Sequence, residues 1–113
     1  MKKLLVTIIS LAFIIITIGC AEDAEPQFRV SNERTTKANV QVQTSGGNTI
    51  NINDVEGGKA TSYQTTAAGN VTATAVIQNE QVSPSVNFYA AMGERYTIEI
   101  KSGNVPTLRV NKE

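Results

Sequence analysis

From Gln27 onward the apolar residues recur at every second position, in short runs. Phe28 and Val30 alternate with Arg29 and Ser31; Val40 and Val42 with Asn39, Gln41 and Gln43; Ile50 and Ile52 with Asn51 and Asn53. Tyr96, Ile98 and Ile100 alternate with Thr97, Glu99 and Lys101, and Leu108 and Val110 with Thr107 and Arg109. Successive side chains of a strand point to opposite faces, so this period describes a sheet with one face buried. Helical periodicity is absent from this part of the chain, and Val, Ile and Thr are abundant, as a pleated surface favours. Gly and Asn, which tolerate the positive φ of tight turns, punctuate the runs at Gly46-Gly47-Asn48, Gly57-Gly58, Gly69-Asn70, Gly93 and Gly103-Asn104. Turns every 8 to 12 residues specify a sandwich or a barrel. The expected strands are 27–32, 38–44, 49–54, 59–66, 71–78, 81–88, 94–101 and 106–111. Pro84 inside the sixth run lacks a backbone donor and marks an edge or a bulge. The expected core is Phe28, Val30, Val40, Val42, Ile50, Ile52, Tyr63, Ala73, Ala75, Val86, Phe88, Tyr96, Ile98 and Ile100, with Ile77 also facing inward.

The amino terminus has a different design. Lys2 and Lys3 precede an almost wholly apolar run from Leu4 to Ile18, then Gly19 and Cys20, the one cysteine in 113 residues. A bilayer-spanning helix needs about 20 apolar residues, so this run has the length of a signal-peptide core. Apolar run, small residue and Cys together resemble the bacterial lipoprotein signal. That resemblance covers residues 1–20 and implies cleavage between Gly19 and Cys20, with diacylglycerol on the Cys20 thiol and often an acylated (palmitate-type) amine. Thr17 stands where that signal usually has Leu. The implied domain plan is a signal peptide (1–19), a lipidated Cys with an acidic tether (20–26) and a β-sandwich (27–113). Ala21-Glu22-Asp23-Ala24-Glu25-Pro26 reads as an extended leash, too poor in apolar residues to order itself. The expected location is the bacterial cell envelope, held to a membrane through Cys20. In a Gram-negative organism Ala21 resembles an outer-membrane sorting signal.

Three stretches carry a second resemblance: Arg29-Val30-Ser31-Asn32, then Gly58-Lys59-Ala60-Thr61-Ser62-Tyr63 ahead of Ala68-Gly69, and Gly93-Glu94-Arg95-Tyr96-Thr97-Ile98-Glu99-Ile100. They are similar to the bacterial extracytoplasmic family catalogued as domain of unknown function 4397, over residues 28–101. Gly57 departs from it, since the family often has an aromatic before the second Gly. The resemblance implies an all-β, immunoglobulin-like antiparallel β-sandwich of about seven or eight short strands and supplies no catalytic residue. Tyr96, entering a strand three residues after Gly93, fits a tyrosine corner, with ring inside and hydroxyl bonded to nearby backbone.

Composition narrows the chemistry. With no His, a hydroxyl nucleophile lacks its usual base, and zinc and copper lack their commonest ligand. Asp54-x-Glu56 offers too few oxygens for calcium. Two of the 10 basic residues lie in the signal and all 10 acids lie beyond it, which leaves no phosphate-binding stripe. The expectation is therefore no enzyme, no cofactor, no metal and no nucleic acid. Tyr89 follows the inward Phe88 and must point the other way; with Met92 it forms the candidate contact patch. The chain reads as a non-catalytic interaction or structural module whose partners are the membrane and an envelope protein or glycan. The alternatives are a solute- or glycan-binding lipoprotein using the Tyr89–Met92 loop, and an accessory inhibitor or enzyme subunit.

Overall fold

The computed structural model describes residues 24–113. These form eight strands: β1 (Gln27–Asn32), β2 (Ala38–Gln43), β3 (Thr49–Val55), β4 (Gln64–Thr65), β5 (Gly69–Ile77), β6 (Ser85–Ala90), β7 (Arg95–Lys101) and β8 (Thr107–Lys112). The first sheet has the order β4-β1-β7-β8 and the second β3-β2-β5-β6. The all-β sandwich expected from the alternation is therefore the observed fold.

The apolar stripe of each strand fills the space between the sheets. Phe28, Val30, Tyr96, Ile98 and Ile100 come from the first sheet, and Val40, Val42, Ile52, Val71, Ala73, Ala75 and Ile77 from the second; all are buried. Ile50, Val86 and Phe88 belong to the expected core but are only half-buried, packed against its margin with Leu108 and Val110. Ala38, Val55, Val71 and Ala90 join the core without having been expected there. Val55 does so through a bulge. Ala38 pairs with Val55 but Val40 with Ile52, so β3 holds one extra residue, and Asp54 takes φ 56 to accommodate it. The extra residue returns Val55 to the inner face.

Three expectations need correction. The sandwich is not wholly antiparallel: β1 and β7 run parallel over six paired positions, Gln27 with Arg95 through Asn32 with Ile100. Both strands start from the same end of the sandwich, and β1 lies between β7 and β4. The fourth run, 59–66, is a strand only at Gln64–Thr65. Upstream, the Thr61 hydroxyl accepts the Val30 N–H at 3.0 Å, so a side chain takes the place of a ladder bond there. Between the Ser31–Ala60 bridge and the Phe28–Gln64 pair this segment holds one extra residue, so Tyr63 loses the expected parity and lies half-buried outside the core. The sixth strand begins at Ser85, after Pro84, whose carbonyl still accepts the Ala75 N–H at 3.0 Å.

Asn32 closes one end of the sandwich. Its buried Nδ2 donates to the carbonyls of Thr36 (2.7 Å) and Val55 (3.0 Å), and its Oδ1 accepts the Arg34 N–H. Arg34 then donates to the carbonyls of Lys101 (2.9 Å) and Gly103 (3.2 Å) and pairs with Glu80 at 3.0 Å. Gly57 packs into this knot so closely that a Cβ would sit 2.5 Å from the Thr35 carbonyl carbon. Only glycine fits there without a shift of the Thr35 backbone.

Candidate functional site

Gly19 and Cys20, the expected cleavage and lipidation residues, lie outside the described residues. The described chain starts already docked. The Ala24 carbonyl accepts the Gly93 N–H at 2.6 Å, Pro26 is buried, and its carbonyl accepts the Thr66 N–H at 2.9 Å. The expected tether, 20–26, is thus held on the domain from Ala24 onward, against the turn between β6 and β7.

That turn carries the expected contact patch. Tyr89 is 64% exposed and Met92 46%, whereas the neighbouring Phe88 ring packs inward on Tyr96 at 5.1 Å between centroids. Tyr96 itself is buried and its hydroxyl accepts the Ala91 N–H at 2.9 Å. This is the expected corner: the ring anchors the core while the hydroxyl fixes the loop that presents Met92.

The two outer faces differ in chemistry. On the first sheet, Arg29 Nε donates to Thr97 Oγ1 (3.1 Å), Thr97 donates to Glu113 Oε2 (2.8 Å), and the Tyr63 hydroxyl donates to the same carboxylate oxygen. The guanidinium groups of Arg29 and Arg95 lie 4.9 and 4.6 Å from the Tyr63 ring centre. The Tyr63 and Thr97 hydrogen bonds, and secondarily the two arginines, hold the Glu113 carboxyl below the ordinary carboxylate range. Further along, Lys101 donates to Glu33 at 2.9 Å, which raises its pKa, and Asn111 donates to Glu99 at 2.7 Å. Most of the motif residues behind the family resemblance (Arg29, Asn32, Thr61, Tyr63, Tyr96) thus have structural partners within the chain.

On the second sheet the outward side chains form cross-strand rows. One row runs Asn51, Gln41, Thr74, Ser85 across β3, β2, β5 and β6. The next runs Thr49, Gln43, Thr72, Asn87. Asn39 faces Val76 at one end of the sheet, and Asn70 faces Tyr89 at the other. Asp54, at the bulge, is the one charged residue in these four strands, against Arg29, Arg95, Glu99, Lys101, Arg109 and Lys112 in the strands of the first sheet. Tyr89 belongs to this uncharged face, which extends well beyond the expected contact patch. The signal was present in the polar half of each alternation, where amides and hydroxyls stand in place of the usual Lys and Glu.

Among the described residues no group of three or more Asp, Glu or Cys could hold a metal ion. Glu56, half of the weak calcium pattern, pairs instead with Lys37 at 3.7 Å.

No family model matches this chain, and no curated protein does. Among solved structures it is similar to an NMR structure of a protein from Eubacterium rectale, at 16% identity, over 80% of this chain and 89% of that one, with a TM-score of 0.59. At that identity the likeness bears on the fold alone.

Proposed function

We propose that this chain is a lipid-anchored, non-catalytic interaction or structural module of the bacterial cell envelope. One observation carries the reading: the apolar run Leu4–Ile18, the small Gly19 and the lone Cys20 stand together, four residues ahead of the point where the chain docks on its sandwich. Four residues reach at most about 14 Å. A lipid on Cys20 would therefore keep the Met92 turn close to the membrane and turn the Asn32–Arg34 end away from it. Two or three acyl chains, at about 0.8 kcal/mol per buried CH₂, make such an anchor nearly permanent. The motif residues support membership of the family of extracytoplasmic domains named above, and the Tyr96 corner supports its immunoglobulin-like grouping. In a Gram-negative cell, Ala21 would direct the protein to the outer membrane.

The exposure of Tyr89 and Met92 favours a second reading, a lipoprotein that binds a solute or glycan at this loop. The anchor is tested by fractionating cells that express the Cys20→Ser chain, together with mass spectrometry of the wild-type polypeptide. The reading expects the variant in the soluble fraction and the wild type to begin at an acylated Cys20. A wild-type chain that keeps residues 1–19 and a free thiol would refute it.

A further inference from the structure

We infer that the outer face of the second sheet is a binding surface for a neutral polysaccharide. This rests on the interaction-module reading, of which it names the partner, but it does not require the lipid anchor. The two central rows, built on Gln41–Thr74 and Gln43–Thr72, are made wholly of amide and hydroxyl side chains. With strands about 4.8 Å apart and alternate residues about 6.7 Å apart, they form a grid of polar groups across the sheet. Thr72 donates to Asn87 at 2.7 Å and Thr74 to Ser85 at 3.2 Å. Gln41, Gln43 and Asn51 make no side-chain hydrogen bond among the described residues, and all three are exposed. Each of these amides both donates and accepts. A sugar hydroxyl does the same, so the grid matches a hydroxyl-rich chain lying across the strands.

Charge and shape select among ligands. An ionic ligand would leave water for a face whose charges, Asp54 and Lys37, stand only at its rim, Lys37 already paired with Glu56 at 3.7 Å, so the central rows offer an ion no counter-charge. A protein partner normally seeks a central cluster of apolar or aromatic residues. Here the exposed apolar side chains, Val76 and Tyr89, stand at opposite ends of the sheet with polar rows between them. A depression of about 260 Å³ among Asn39, Gln41, Asn51 and Thr74 is smaller than the usual pocket for a compact small molecule. It suits one ring or substituent of an extended ligand. Tyr89, on the same outward face, supplies an aromatic surface at the edge against which a sugar ring can stack.

The test is affinity electrophoresis of the full-length chain in detergent. The gels contain mixed-linkage β-glucan, xylan, galactomannan or dextran, with alginate as the anionic control. The expected result is retardation by at least one neutral polymer, not by alginate, and little changed at high salt. Gln41→Ala and Tyr89→Ala, each checked for native circular dichroism, should weaken that binding about fivefold or more. Arg109→Ala, on the first sheet, should leave it unchanged. Failure of all four neutral polymers, retardation by alginate alone, or indifference to Gln41 and Tyr89 would overturn the inference. So would a wild-type dimer that Gln41→Lys dissociates, because the face would then be covered by a second copy. Membrane retention of the Cys20→Ser chain would sink the anchor reading and leave this result standing.

Discussion

The two outer faces of the sandwich rest on the same core and satisfy their polar groups in opposite ways. On the first sheet, charge answers charge within the chain: Arg29, Arg95, Tyr63, Thr97 and Glu113 form one cluster, and Lys101 with Glu33 another. On the second, Gln41, Gln43 and Asn51 are left to the solvent. A face already engaged with itself has little to offer a ligand. A face with unengaged donors and acceptors costs little stability in water and keeps its bonding capacity for a partner.

That contrast can be broken at its shared foundation. Ile98 is buried beneath the first sheet, and Ile98→Ala should cost about 2–5 kcal/mol in chemical denaturation, disturbing both faces together. Survival of wild-type stability would mean that the core is not packed as described. Tyr63→Ala should cost less, about 1–2 kcal/mol, by removing the ring beneath two guanidinium groups. A loss near zero would show that the cluster on the first sheet is not cohesive.

The same cluster sets a pH dependence. The folded-state pKa of Glu113 lies below its unfolded value, first because Tyr63 and then Thr97 hydrogen-bond the carboxylate. Its contribution is therefore complete above the ordinary carboxylate range and is lost as pH falls through the lowered folded value. Thermal melts of wild type and Glu113→Gln should differ at neutral pH and converge in acid; parallel curves would remove Glu113 from the account. The smallest effect belongs to the second sheet. Gln41→Ala should change stability by no more than about 0.5 kcal/mol. A larger loss would mean that the amide serves the fold and would blunt the contrast between the faces.

Much of this architecture is legible in the alternation of the strands. The strict alternation through Val40–Val42 and Ile98–Ile100 fixed which side chains turn inward, because a one-residue slip would have placed them in water. Tyr96 declared its corner through its distance from Gly93. The expectations that missed concern long-range pairing. The parallel union of β1 with β7 joins segments 68 positions apart, and alternation records parity, not neighbours. Tyr63 falls outside the core because the pairing with β1 shifts by one residue between the Ser31–Ala60 bridge and the Phe28–Gln64 pair, so the alternation of this segment no longer marks the core. Val55 was missed because a bulge inserts a residue that no turn signal announces. Of the candidate site, Tyr89 was legible from its position after Phe88. The uncharged face became visible only when β2, β3, β5 and β6 were laid side by side.

The parallel pairing has a mechanical side. The chain enters at Ala24 and runs directly into β1, which is bonded to β7 in register from Gln27 to Asn32. A pull on the amino terminus acts along that strand. Its rungs are loaded together in shear, and none can be peeled away singly from an end, so the segment nearest any tether is also the one best placed to bear tension.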